Sequence, residues 1–510
     1  MRSFSILCLY LFLVSNTIFF YSCTAPETYP GEAADRRLAE KYCQSCHQLP
    51  TPDLVDKRTW KEAVFPKMGP LLGITGFEGT LYKQEKGFLN SYLFPDKPIL
   101  SDEEWRSVMR YFTTLAPEKM SPQIPHVPIQ KKLPLFQAHT PEFPFENPVL
   151  SLVKIDTLHN KLYFGDGEKG MLFHTDKSMK TVTFQRLGTG PVQMDSRREG
   201  ARILLMGSFH PSDFRNGELT YLQSDSSVAD AIITGLSRPT HVTYQDLNAD
   251  GKEDIVISGF GYYTGSLNWY EKVSHQYMEH ILNPSAGAIQ SAINDFNKDG
   301  KPDILVLMAQ GNEGFDLYTN KGNGVFSSPE RILQFHPSFG SNSFSLVDFN
   351  NDGKLDIIAT NGDNGDYRQI LKPYHGVRIY LNDGENHFTE KYFYPINGIT
   401  KAVPVDFDQD GDLDIATIAY FPDYEKHPEE SFVYLENKGS FQFEPFTFPE
   451  FDFGRWQVMD TGDIDKDGDI DILLGSCVLS IYPVPEKYTQ KWDTLKYPVV
   501  WLENKKISGR

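Results

Sequence analysis

Hydrophobic and polar positions follow a repeating pattern over the second half of the chain. An acidic nine-residue motif is followed each time by a short apolar run, and this pair occurs five times: Asp246–Asp254, Asp295–Asp303, Asp348–Asp356, Asp406–Asp414 and Asp463–Asp471. The first aspartates of successive motifs are 49, 53, 58 and 57 residues apart. Further apolar segments and turns follow each run. Short apolar runs bounded by turn residues predict β-strands.

Four short strands in each repeat of about 50 residues match the size of a propeller blade. Two weaker copies of the repeat, around Val153–Asp156 and Met194–Gly207, precede the five and bring the total to seven. The last copy ends after Val499–Glu503, one outer strand short. We expect Leu133–Gln137 to supply that strand, because a closed ring leaves no exposed sheet edge. Residues 146–510 are therefore predicted to form an all-β, seven-bladed propeller.

The acidic motif has the ligand spacing of a loop that binds a hard cation. Oxygen-bearing side chains occupy positions 1, 3 and 5, glycine position 6 and aspartate position 9. Position 12 lies in the apolar run, where an EF-hand would need glutamate, so these loops join two strands. The alternative is a set of acidic turns without an ion. The predicted ligands of up to five Ca²⁺ ions are Asp246, Asn248, Asp250, Asp254, Asp295, Asn297, Asp299, Asp303, Asp348, Asn350, Asp352, Asp356, Asp406, Asp408, Asp410, Asp414, Asp463, Asp465, Asp467 and Asp471.

The five motifs together resemble the FG-GAP/VCBS propeller repeats, the calcium-binding blades that also occur in integrin α chains. The resemblance covers the last 360 or so residues and implies that calcium has a structural role, holding the inner hairpin of each blade.

A different pattern precedes the repeats. Residues 32–42 are predicted to form a helix that leads into Cys43-Gln-Ser-Cys46-His47, and Ser101–Glu104 is a capping box that opens a second helix. A zinc site would need a second pair of Cys or His ligands, and residues 48–125 contain neither. The Cys-x-x-Cys-His pentad resembles the haem attachment site of c-type cytochromes. The resemblance implies that residues 32–118 are a small all-α cytochrome c domain with one covalent haem c.

The same resemblance implies the haem ligands. Cys43 and Cys46 would form the thioether bonds and His47 would bind the iron. Met68, predicted to lie in a Pro/Gly loop, is the candidate sixth ligand; the alternative is an open or labile sixth site. Residues 119–145, rich in proline, are predicted to be a semi-rigid linker that holds the helical domain at a fixed distance from the propeller.

The N-terminus carries an apolar run, Ile6–Phe20, that ends just before Cys23. The run predicts an export signal over residues 1–22, and Ser22-Cys23 resembles a bacterial lipoprotein processing site, with Cys23 lipidated and residues 23–31 as a tether. The alternative is an ordinary secretory signal. The expected location is the bacterial cell envelope, anchored by lipid outside the cytoplasm.

Composition narrows the choice of partners. The formal net charge is −19, which argues against a nucleic acid or an anionic membrane surface as ligand. If Cys8, Cys23, Cys43 and Cys46 have the roles above, only Cys477 remains and no internal disulfide can form.

These features lead to one main hypothesis and two alternatives. The main hypothesis is a membrane-anchored electron-transfer protein whose propeller docks a redox partner protein or a small reductant. The alternatives are a haem-linked dehydrogenase acting on a sugar or alcohol, and a glycan- or protein-binding module. The loops expected on the propeller face opposite the calcium loops are Gly259–Tyr263, Gln310–Glu313, Asn361–Arg368 and Tyr420–Tyr424, near Arg238, His241, Lys401, Arg455 and Trp456.

Overall fold

The computed structural model describes residues 28–82, 93–124, 127–223, 227–228, 231–365, 368–479 and 483–506. It consists of a seven-bladed β-propeller preceded by a small helical region at residues 32–115. The predicted signal segment and Cys23 lie outside the described residues. No helix in the described part of the chain has the length and apolar character needed to span a membrane.

The helical region begins and ends with its two longest helices, Glu32–Cys43 and Asp102–Leu115. Between them lie the helical turns Pro52–Leu54, Lys57–Thr59, Trp60–Val64 and Phe65–Leu71 and the two-residue strands Gly76–Phe77 and Thr80–Leu81. The capping box is confirmed: Ser101 Oγ accepts from the Glu104 amide, and Glu104 accepts from the Ser101 amide. Both ends of the domain therefore have the helices that the sequence predicts.

The two long helices pack against each other around an aromatic core. Arg110 and Asp35 form an ion pair with N–O distances of 2.6 Å, and the Tyr42 hydroxyl donates to Glu104 over 2.7 Å. Trp60 stacks on Phe112 with a centroid distance of 4.2 Å. These contacts fix the end of the first helix, where Cys43 lies, against the last helix.

Blades 1–5 are antiparallel four-stranded sheets whose strands follow one another in chain order, and blades 6 and 7 each gain one strand from the segment before blade 1. Blade 1 contains the strands Leu150–Asp156, Lys161–Asp166, Met171–Thr175 and Thr183–Arg186, and blade 2 contains Pro191–Arg197, Gly200–Leu205, Gly217–Gln223 and Ile233–Leu236. Blade 3 contains Pro239–Gln245, Asp254–Gly259, Ser266–Val273 and Gln276–Asn283, blade 4 contains Ala288–Asn294, Asp303–Met308, Gly314–Tyr318 and Glu330–Gln334, and blade 5 contains Ser341–Val347, Asp356–Asn361, Gly376–Asn382 and Phe388–Pro395. Blade 6 contains Ile399–Val405, Asp414–Ala419, Phe432–Asn437 and Phe443–Thr447, and blade 7 contains Trp456–Gly462, Asp471–Ser476 and Val499–Asn504. A short helical turn, Pro428–Ser431, and a helix, Glu486–Leu495, lie in the loops of blades 6 and 7.

The first strand of every blade contacts the first strands of both neighbouring blades, including that of blade 7 with that of blade 1. These strands are therefore innermost and the ring is closed. In blades 3–7 every residue of the second strand is buried, between the sheets of adjacent blades. This burial explains why the second strands are continuous apolar runs without alternation.

The ring is closed by a strand from the segment before blade 1. Phe136–His139 pairs antiparallel with Val499–Asn504 and completes blade 7, as the sequence predicts. Gln130–Lys131 adds a parallel fifth strand to blade 6 beside Phe446 and Thr447. Much of the predicted linker is thus part of the propeller, because its backbone groups satisfy two otherwise open sheet edges.

The helical region is docked directly on the propeller. The Tyr374 hydroxyl, in blade 5, donates to the Leu54 carbonyl over 2.7 Å. Phe94 meets Tyr263 of blade 3 edge to face, with centroids 5.2 Å apart. These contacts lie on the loops after the second strands, and the acidic motifs lie at the opposite end of the same strands.

Replacing Phe136 with alanine tests the closing strand. Its ring is 7% exposed and meets Phe407 and Tyr434 edge to face at 5.5 and 5.6 Å. We expect Phe136→Ala to lower the free energy of unfolding by about 3–5 kcal/mol, the usual cost of removing a buried aromatic ring. Denaturant unfolding measures this. Gln137→Ala, on the exposed face of the same strand, is the control and should change little; equal losses in both variants would contradict the closing role.

Candidate functional site

The four predicted haem ligands line one cavity of the helical region. Cys43, Cys46, His47 and Met68 all face it. The rest of its helical lining is mainly apolar and includes Trp60, Val64, Phe65, Leu72, Trp105 and Phe112. Two thiols, one imidazole and one thioether in an apolar cavity are the donor set of a c-type haem, so the residues present fit that group.

The side chains of the pentad differ in environment. His47 Nδ1 lies 2.8 Å from the Gln48 carbonyl oxygen, which can only accept, so Nδ1 is the donor of this bond and Nε2 is the nitrogen left for another contact. Burial, together with the nearby Cys46, raises the pKa of Cys43 to about 12. Cys46 is exposed, and no disulfide joins the three cysteines of the described residues. The imidazole is therefore oriented with one nitrogen available to a metal.

Met68 lies in a short helix, Phe65–Leu71, and the prediction of a Pro/Gly loop is wrong. The helix continues directly from the helical residues Lys57–Thr59 and Trp60–Val64, and Pro66 follows the π-helical turn Trp60–Val64. Gly69 serves close packing, since a Cβ there would lie 2.6 Å from the Tyr82 ring. The helix still presents Met68 to the cavity that contains His47.

The propeller also contributes to this cavity. Tyr262 and Tyr263 of blade 3 and Gln310 and Glu313 of blade 4 lie along it. These residues belong to loops that the sequence places on the ligand-facing side of the propeller. Burial raises the pKa of Glu313 to about 7, although three donors from Gly340 and Ser341 reach the carboxylate. No pattern in the sequence indicates that these loops meet the Cys-x-x-Cys-His pentad.

The acidic motifs form the loops between the first and second strands of blades 3–7. In each loop the residue at position 1 accepts backbone hydrogen bonds from the following turn; Asp246, for example, accepts from the Asp250 and Gly251 amides over 3.2 and 2.8 Å. In blade 6 the oxygens of Asp406, Asp408 and Asp410 lie within 4.8 Å of one another. In blade 7 the group within the same distance is Asp463, Asp465 and Asp471.

The aspartate at position 9 has a structural role that the sequence did not reveal. It is buried in all five loops and accepts from two backbone amides, one in its own loop and one at the end of the third strand. Asp303, for example, accepts from Phe296 and Asn320 over 3.0 and 2.7 Å. Burial raises the pKa of Asp414 and of Asp471 to about 7.

An asparagine completes this arrangement in four blades. The side-chain amide of Asn320 donates to the Leu247 and Pro302 carbonyls, and the equivalent residues also donate to backbone carbonyls. The equivalents are Asn382, Asn437 and Asn504. The signal in the sequence is the asparagine that ends each third strand. Aspartate and asparagine together join the loop to the third strand.

Position 7 divides the loops into two kinds. In blades 3, 4 and 5 it is lysine, whose ammonium contacts the position 5 aspartate at 2.8, 2.8 and 3.1 Å. The lysine lowers the pKa of that aspartate in each case. In blades 6 and 7 position 7 is Asp412 and Asp469, and position 3 is also aspartate. The last two loops are therefore the most acidic.

The basic residues predicted near the propeller face opposite the acidic loops mainly make contacts within the propeller. Burial, followed by the charge of Lys401, lowers the pKa of His241 to about 4. Lys401 donates to the Met459 carbonyl over 2.8 Å. Arg455 is 1% exposed, with its guanidinium 3.6 Å from the centroid of Tyr420. Cys477 is buried beside Tyr420, as expected for a packed thiol.

Comparison with known proteins agrees with the repeat architecture. A family model described as an FG-GAP-like repeat matches residues 246–306 and 295–359, and no curated protein matches the chain. A proposed 6-phosphogluconolactonase from Bacteroides fragilis is 12% identical, with 58% of this chain and 84% of that chain covered at a TM-score of 0.38. Regucalcin, a calcium-binding protein from Agrobacterium tumefaciens, is 10% identical over 72% and 93% of the two chains, with a TM-score of 0.36. The chain carries FG-GAP-like repeats within a seven-bladed β-propeller.

The position 9 aspartate can be tested in the absence of calcium. We expect Asp303→Ala to lower the free energy of unfolding by about 2–5 kcal/mol, because it leaves two buried amides without an acceptor. Asp299→Ala, at position 5 of the same loop, removes an exposed carboxylate and should cost much less. Denaturant unfolding in excess chelator measures both. If the two variants lose the same stability, the role of Asp303 as an internal acceptor is refuted.

Proposed function

We propose that this protein is an extracytoplasmic electron-transfer protein, anchored to the cell envelope through Cys23, with one covalent haem c in its helical region. The observation that carries the proposal is the convergence of Cys43, Cys46, His47 and Met68 on one apolar cavity. Two separate segments that converge on one cavity are more specific evidence for a haem site than the pentad alone.

Each residue has a defined role in this proposal. Cys43 and Cys46 would hold the group covalently, and His47 Nε2 and the Met68 thioether would bind its iron. Haem c bound there would supply a one-electron Fe(III)/Fe(II) couple. The apolar aromatic lining excludes water and favours the less charged reduced state. The Gln48 carbonyl orients the imidazole through Nδ1.

The propeller is proposed to bind Ca²⁺ at its five acidic loops and to dock the redox partner, either a protein or a small reductant. Grouped carboxylates repel one another without a cation, and alternating oxygen ligands suit Ca²⁺. The calcium ions would hold the inner hairpins on the face opposite the helical region. Electrons would therefore enter or leave the haem at the propeller face that carries the helical region.

The sixth ligand is tested with purified, haem-loaded protein. We expect the oxidised wild type to show the long-wavelength absorption band of a thioether-ligated haem, and Met68→Ala to lose this band and to have a lower reduction potential. Met109→Ala, in the last helix of the same domain, is the matched control and should keep both properties. A spectrum without this band in the wild type, with rapid binding of added ligands, would indicate an open iron. Failure to find covalent haem at Cys43 and Cys46 would contradict the proposal.

The two kinds of acidic loop predict two classes of calcium affinity. We expect Lys354→Asp in blade 5 to strengthen calcium binding and Asp412→Lys in blade 6 to weaken it, each on the order of tenfold, because the local charge changes by two beside a divalent ion. Calorimetric titration of the chelator-treated protein measures the number of sites and their affinities. Lys391→Asp, on the outer strand of blade 5, makes the same charge change away from the loop. If Lys354→Asp and Lys391→Asp change the calcium affinity equally, the affinity depends on the net charge of the protein alone, which would contradict the prediction.

A further inference from the structure

The cavity that contains the four proposed haem ligands is shared between the two domains. The helical region supplies the thiols, the imidazole and the apolar lining. The propeller supplies Tyr262 and Tyr263 from blade 3, Gln310 and Glu313 from blade 4, and Ser338 from the connection to blade 5. One side of the cavity is therefore apolar and helical, and the other is polar and belongs to the propeller.

The propeller side of the cavity is fixed by hydrogen bonds within the propeller. Asp213 Oδ1, from blade 2, accepts from the Tyr263 and Thr264 amides over 2.9 and 2.6 Å. Gln310 donates through its side-chain amide to the Tyr262 carbonyl over 2.6 Å. Asp213 of blade 2 and Gln310 of blade 4 thus hold the backbone of the blade 3 loop that carries the two tyrosines. The propeller side of the cavity is therefore fixed in part by contacts between neighbouring blades.

The contacts that dock the helical region lie around the cavity. Tyr374 donates to the carbonyl of Leu54, a cavity residue, and its hydroxyl lies 3.2 Å from Ser338 Oγ. Phe94, 3% exposed, packs its edge against Tyr263. The docking contacts and the lining of the cavity therefore involve the same loops. Moving the helical region away from the propeller would open the cavity to water.

We propose that the propeller completes the haem pocket, with Tyr262, Tyr263 and Gln310 restricting the access of water and small ligands to the iron. This inference rests on the haem function proposed above. A drier site disfavours the oxidised, more highly charged state, so docking of the two domains raises the reduction potential. The propeller thereby regulates the haem in addition to presenting it to a partner.

The experiment uses the haem-loaded, full-length protein and the variants Tyr263→Ala and Tyr374→Phe. Tyr263→Ala opens the cavity wall, and Tyr374→Phe removes only the hydroxyl that donates to Leu54. The matched control is Tyr277→Ala, on the outermost strand of blade 3, away from the cavity. The readouts are the reduction potential, by spectroelectrochemistry, and the rate at which cyanide binds the oxidised protein. Covalent haem content is measured for every variant.

We expect Tyr263→Ala to lower the potential and to accelerate cyanide binding, Tyr374→Phe to do both to a smaller extent, and Tyr277→Ala to match the wild type. If Tyr263→Ala does not fold, Tyr374→Phe decides the question. Haem-loaded variants that all behave like the wild type overturn the inference and leave the proposed function intact. A change of the same size in Tyr277→Ala also overturns it. Wild-type protein without covalent haem would refute the proposed function itself.

Discussion

One pairing between distant parts of the chain holds the whole propeller together. Phe136–His139, which precedes the first blade, lies beside the last strand, Val499–Asn504. Every blade packs its innermost strand against two neighbours, and this is true of blades 1 and 7 only because the ring is closed. The closing strand also removes the open edge of blade 7, where unpaired backbone groups would invite association with another chain. The docking surface for the helical region depends on this closure, because it is built from loops of three adjacent blades.

Buried carboxylates cross-link the blades internally, and no disulfide is present among the described cysteines. The position 9 aspartate joins a loop to the third strand in blades 3–7, and Asn320 and its equivalents repeat the link. The aspartate bonds lie within each blade, and Asn320 and Asn504 also donate to a carbonyl of the preceding blade. The closing strand, in contrast, joins the two ends of the propeller chain. Positions 1, 3 and 5 carry aspartate or asparagine side chains that are half-buried or exposed. The oxygens at position 9 therefore serve the fold, and those at positions 1, 3 and 5 are the accessible members of the proposed Ca²⁺ site.

Much of the fold follows from local patterns in the sequence. The blade repeats, the loop positions, the closing strand and the capped helix all have periodic or motif signals that depend on neighbouring residues. The sequence does not predict the helix around Met68, because Pro66 and Pro70 normally end helices, while here Pro66 follows a π-helical turn and Pro70 lies one residue before the helix ends. The docking of the helical region could not be predicted from the sequence. It depends on contacts such as Tyr374 with Leu54, which are far apart in the chain and follow no repeat.

The position of the closing strand in the chain determines the order in which the propeller assembles. During synthesis the helical region and Phe136–His139 emerge first, but the partner strand Val499–Asn504 emerges last. The six intervening blades must therefore wait for the final strand before the ring can close. Until then the helical region, with its Cys-x-x-Cys-His pentad, has no finished propeller face on which to dock. Any enzyme that modifies these cysteines would meet the helical region undocked in that interval, before the two ends of the propeller meet.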